Sequence, residues 1–112
     1  MRCRAAVLAV ALLALIAGPL RAEGESGYYR QQGQAALTAG NFERAVVCYE
    51  TALRYAPGDT TVERELAVAY NNYALRVVGD TPDLALTMLE AAWRLQPADG
   101  QMAGNLAALY NR

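Results

Sequence analysis

Only a few side chains in this sequence could carry chemistry. In the stretch GNFERAVVCYETALRYAP, Gly40 to Pro57, a thiol (Cys48) and a phenol (Tyr49) stand between Glu43 and Glu50, with Arg44 and Arg54 close by. A cysteine attacks as its thiolate, and needs a base or cation to form it. The sequence contains no His, which removes the commonest general base and metal ligand. The only other cysteine is Cys3, so no pair has metal-ligand spacing, and Cys48 reads as an ordinary helix cysteine. A thiol-redox role for Cys48 is the weakest of the functional readings.

Asp80 with Asp83 and Glu63 with Glu65 could pair as acid and base. An Asp near a helix start is more simply a cap or dipole partner, and a Glu on a helix surface is ordinary. Tyr28, Tyr29 and Trp93 could form a stacking platform, but are expected as filler between helices. No Gly-rich phosphate loop is present. The expectation is no catalytic residue, no metal ligand and no cofactor-binding residue: the chain is not expected to be an enzyme.

What must position these groups begins after an N-terminal Met-Arg-Cys-Arg head, an apolar run from Ala5 to Ala17, and Gly18-Pro19-Leu20-Arg21-Ala22. A basic head, a short apolar run and a small residue at its end read as a secretory signal peptide over 1–22, cut after Ala22. The run is far too short for the ~30 Å hydrocarbon core, so a retained anchor is the weaker reading. No cysteine follows the run to accept a lipid. Export implies a periplasmic location in a Gram-negative-type bacterium, or secretion, with no membrane span once the signal is removed.

The remaining 90 residues carry seven Arg and no Lys against 11 acidic residues. That mildly acidic balance lacks the basic footprint of a nucleic-acid binder. A single domain with a modest core is expected over 26–112, behind a linker at 23–25. One cysteine in that part leaves no internal disulfide.

The domain repeats itself. Ala52, Arg54, Pro57 and Asp59 return as Ala92, Arg94, Pro97 and Asp99, a shift of 40, and the same shift carries Leu66-Ala67 onto Leu106-Ala107 and Tyr70 onto Tyr110. Gly33, in contrast, precedes Ala67 by 34, so one unit is longer by six residues.

Ser26, Asn41, Thr81 and Asp99 stand where N-caps would, Thr60 and Glu63 have capping-box spacing, and Pro82 suits a first helical position. Gly40, Gly58, Gly79, Pro57 and Pro97 mark ends. These signals predict helices near 26–39, 42–55, 60–78, 82–95 and 100–111. In the second, Phe42, Ala45, Val46, Tyr49, Ala52 and Leu53 share an apolar stripe, while Glu43, Glu50 and Arg54 face water. In the first, Tyr29, Gly33, Ala36 and Leu37 line up, and Gly33 lets the next helix come close.

The residues resemble the tetratricopeptide repeat (TPR) family. Its aromatic, Gly, Ala, aromatic and Pro positions are matched by Tyr29, Gly33, Ala45, Tyr49 and Pro57, while Gln32 and Ala36 depart from the family's Leu and Tyr. A second unit reads Glu63, Leu66-Ala67, Tyr70, Ala85, Leu89 and Pro97, and a third begins with Ala103, Leu106-Ala107 and Tyr110.

The resemblance implies an all-α, TPR-like α-solenoid of antiparallel helix-turn-helix units. It would hold about two repeats, near 26–59 and 60–99, and a C-terminal capping helix at 100–112. It further implies a groove that binds a protein or peptide, lined by Arg30, Gln34, Arg64, Asn71 and Asn105 on the first helix of each pair. The family's carboxylate clamp is not implied, because Glu65 stands where its second Asn should be and Gln101 and Asn105 replace its last cations.

The expected function is therefore an exported interaction module or scaffold for a peptide segment or subunit of a cell-envelope complex. The competing expectation is a self-associating structural protein, a homo-oligomer through the C-terminal helix, with Met102, Leu106 and Leu109 as its exposed apolar surface.

Overall fold

The computed structural model describes residues 24–111. The expected signal peptide over 1–22, Cys3 within it, Glu23 and Arg112 lie outside the described residues. Among the described residues every regular element is a helix. These are α1 over 24–38, α2 (Phe42–Tyr55), α3 (Thr60–Val77), α4 (Pro82–Leu95) and α5 (Gly100–Tyr110), joined by turns of three or four residues. None is long and apolar enough to cross a membrane.

Local chemistry sets most of the ends. The Asn41 side chain accepts from Arg44 N–H to start α2, and Asp99 accepts from Gln101 and Met102 N–H to start α5. Gly40 turns left-handed at φ 76°, and the Asn41 N–H reaches back to the Ala36 carbonyl, closing α1. Gly58 is also left-handed, at φ 82°, whereas Gly79 is not. Thr81 caps α4 by position only: its hydroxyl donates backward to the Val77 carbonyl, and Pro82 opens the helix behind it.

Two expected caps differ. The cap of α3 is Asp59, which accepts from Thr61 and Val62 N–H, so Thr60 is already helical and no Thr60–Glu63 box forms. Ser26 lies inside α1, buried, where its hydroxyl donates to the Ala52 carbonyl of α2 at 3.1 Å. It joins two helices instead of starting one.

Five of the six extra residues lengthen α3, which runs ten residues past Ala67 where α1 runs five past the equivalent Gly33, and the sixth lies in the turn before α4, 78–81 against 39–41. Arg76, in the added turn, donates to the Gly40 carbonyl and lies 4.3 Å from the Phe42 ring centre. The longer helix thereby reaches back to the α1–α2 turn.

Among the described residues the core consists of three clusters of buried residues spread from α1 to α5. Ala36, Ala45, Val46, Tyr49, Ala52, Val62, Leu66 and Ala69 bring α1, α2 and α3 together. Ala67, Ala92 and Met102 join α3, α4 and α5. Ala74, Ala85 and Leu89 continue between α3 and α4, with Leu106 and Leu109 of α5 against them. Small residues dominate these contacts, which lets the helix backbones come close. Gly33 is the closest case: a Cβ there would lie 3.0 Å from three ring carbons of Tyr49.

Burial corrects several sequence expectations. Met102 is buried, and Leu106 and Leu109 are half-buried, so these three are not the exposed apolar surface of α5. Tyr28 and Trp93 are exposed, not filler between helices, while Tyr29 stacks on Tyr55 with ring centres 5.8 Å apart. Cys48 is free and buried.

The 40-residue self-match is also structural. Ala56 and Gln96, which close α2 and α4, share backbone angles of φ −133° ψ 70° and φ −135° ψ 67°. Asp59 and Asp99 cap the following helices in the same way. The Tyr70 hydroxyl donates to Glu50 at 2.9 Å, and the Tyr110 hydroxyl donates to Glu90.

Candidate functional site

The five residues expected in a groove fall on α1, α3 and α5, and the fold brings four of them into two clusters. Arg30 of α1 meets Glu65 of α3 as a fork, with Nε 3.2 and 3.1 Å from the two carboxylate oxygens and Nη2 at 2.7 Å from one. Gln34, one turn along α1, donates to the same carboxylate at 3.4 Å. The hydrogen bond and charge of Glu65 raise the Arg30 pKa above its ordinary value. Because both partners keep solvent contact, the pair is worth roughly 0.2–1 kcal/mol. Its stronger effect is to fix where Arg30 sits.

Further along, Asn105 of α5 donates its amide to the Asn71 side-chain oxygen of α3 at 2.9 Å. Asn71 is buried, so a partner would meet it only through its neighbours. Arg64 is the odd one: it is exposed and makes no side-chain hydrogen bond or ion pair within the described residues.

Helical spacing places Arg64, Val68, Asn71 and Leu75 on one stripe of α3. Val68 and Leu75 are exposed, at 37% and 48%. Leu75 also lines a small cavity of about 100 Å³ with Val78, Leu89, Asn105, Ala108 and Leu109. The face thus offers one free cation and two apolar contacts beside a fixed polar pair.

Three participants were not assigned to the groove from the sequence. Glu65, read there as an ordinary surface Glu, is the acceptor around which Arg30 and Gln34 gather. Val68 and Leu75 carried a usable signal, since they follow Arg64 by four and eleven residues. Glu50, expected to face water, instead accepts from Tyr70. Burial and then that hydrogen bond hold the Tyr70 hydroxyl well above the usual phenol range.

Behind the Arg30–Glu65 fork lies Tyr49, wholly buried, with its hydroxyl lacking a hydrogen-bond partner among the described residues. Burial first, then the neighbouring Glu65 carboxylate, push its pKa far above the usual phenol value. A buried hydroxyl without a partner is a cost, and the ring alone makes the packing. Tyr49→Phe should therefore leave stability within about 1 kcal/mol of the parent, on the favourable side. Urea unfolding measures this, and a clear loss would mean that Glu65 holds the hydroxyl in solution.

Among the described residues no group of three or more His, Cys, Asp or Glu could hold a metal ion. α2, α3 and α4 also form an open, mainly apolar groove of about 680 Å³ over Leu53, Pro57, Leu66, Ala91 and Leu95, with Arg54, Arg94 and the Glu50–Tyr70 pair in its lining. Comparison with family models, with curated proteins and with solved structures finds no match for the chain.

Proposed function

We propose that the chain is a non-catalytic protein-interaction module, built as TPR-like antiparallel helix pairs with a C-terminal capping helix. It is exported to the cell envelope, where it holds a peptide segment or a subunit of an envelope complex. One observation carries the reading. Polar groups 34 and 35 residues apart on α1, α3 and α5 meet in cross-helix pairs, Arg30 with Glu65 and Asn71 with Asn105. A repeat scaffold whose first helices line a common face would bring their side chains together in this way.

On this face the paired residues set the shape, and the unpaired Arg64, with Val68 and Leu75, contacts the partner. The chain should recover a specific partner from envelope extracts, and Arg64→Glu should reduce that recovery about tenfold at unchanged helicity, as expected for an interface cation replaced by its opposite. Undiminished recovery would remove the face assignment. Failure to recover any partner would remove the module reading.

A further inference from the structure

The α2–α3–α4 groove has a counterpart 40 residues on. Glu50, Leu53, Arg54, Leu66 and Tyr70 line the first, and Glu90, Trp93, Arg94, Leu106 and Tyr110 line the second. In the first, Ala91, Arg94 and Leu95 of α4 supply the facing wall. Among the described residues no helix supplies that wall for the second, which encloses about 350 Å³ against about 680 Å³.

Exposure follows the missing wall. Ala67 is wholly buried and its equivalent Ala107 is exposed; Leu66 is buried and Leu106 is half-buried. Tyr70 is half-buried and Tyr110 is 60% exposed, while Trp93, in place of half-buried Leu53, is 42% exposed. Yet the tyrosine-to-glutamate hydrogen bond is the same in both grooves. The second surface is thus already formed, and it displays a Trp and a Tyr, the side chains that most often anchor interfaces.

We infer that the outer flank of α5 is a docking surface for one amphipathic helix of a partner protein, seated there as α4 is seated on α3. The internal repeat states the chemistry of that helix. α4 buries Ala85, Leu89 and Ala92, and α2 buries Ala45, Tyr49 and Ala52, with the same spacing of four and then three residues. In both, an Arg two residues beyond the second Ala lies at the groove. The occupant therefore carries a small residue, a large apolar residue four positions on, a second small residue three further, and then a basic one. Its small residues let it approach Ala107 as α4 approaches Ala67.

A second copy does not supply such a helix, because α2 and α4 already spend these stripes in their own core, at 0–2% exposure. The inference rests on the interaction-module reading and adds a second surface to it.

The test uses the full chain and a fluorescent peptide of the α4 sequence with its flanking residues, 81–96. Saturable binding is expected, weakened about tenfold or more by Ala107→Arg, a change at an exposed position that leaves the fold intact. A peptide with Glu at the Leu89 position should not bind. Arg64→Glu, at a residue outside the lining of this surface, should leave peptide binding unchanged, so failure of the proposed groove face and failure of this surface are read separately. Three outcomes overturn the inference: no saturable binding; binding indifferent to Ala107→Arg, as when the peptide displaces α4; or a dimer in sedimentation that Ala107→Arg abolishes, which makes the occupant a second copy.

Discussion

Gly33→Val should lower the unfolding free energy by about 3 kcal/mol, and Gly33→Ala by about 1. The difference comes from two opposed effects. Alanine favours a helix over glycine by roughly 1 kcal/mol, whereas overpacking a tight core costs roughly 1–3. Here the added carbon meets three ring carbons of Tyr49 at 3.0 Å, and that ring has no exposed edge along which to retreat. Ala is accommodated only by a shift of α1 away from α2; Val adds branching on top of that shift. Equilibrium urea unfolding measures both losses. The partner residue supplies the control: in double-mutant cycles Gly33→Ala should cost less in a Tyr49→Leu background, which lacks the ring, and as much as before in a Tyr49→Phe background, which keeps it. A Val variant as stable as the parent would show that α1 does not pack on Tyr49.

Leu89→Ala should be the most damaging change in the second half of the domain, at about 3 kcal/mol. Leu89 is 2% exposed and fills the space among Ala74, Ala85, Met88, Leu106 and Leu109. Two of its buried neighbours, Ala74 and Ala85, are too small to fill the gap that the change would leave. In a scaffold stabilised between neighbouring units, the loss should concentrate in α4 and α5 and leave the α1–α2–α3 cluster in place. Limited proteolysis of the variant should therefore cut first after α3, and its thermal transition should broaden or split. A single sharp transition with uniform cleavage would show that the domain melts as one unit.

Sequence reading located the elements better than their partnerships. The bounds of α2 and α4 were legible because an Asn cap, a Pro at a helix start and a fixed turn motif at both ends are all local signals. Ser26 and Thr60 misled for the same reason. Each resembles a cap from its neighbours alone, while the fold uses Ser26 for a bond to Ala52 and leaves capping to Asp59. Glu65 was illegible as a gathering point, since nothing within a turn of it indicates that Arg30, 35 residues away, will arrive. The six added residues had an unambiguous length but not an address. Only packing shows that most of them extend α3 and carry Arg76 to the first turn. Trp93 was misjudged because its burial depends on whether a further helix covers it, and among the described residues none does.

Cys48 lies on α2 with 8% of its surface exposed and no disulfide partner. A thiol in that position reacts with a reagent only while the helix around it is displaced. In a chain with Cys3 changed to Ser, the rate of labelling at reagent concentrations high enough that it no longer depends on them would report how often α2 leaves its place, with no added reporter residue. Its burial makes the sulfur a native clock for the motions of its own helix.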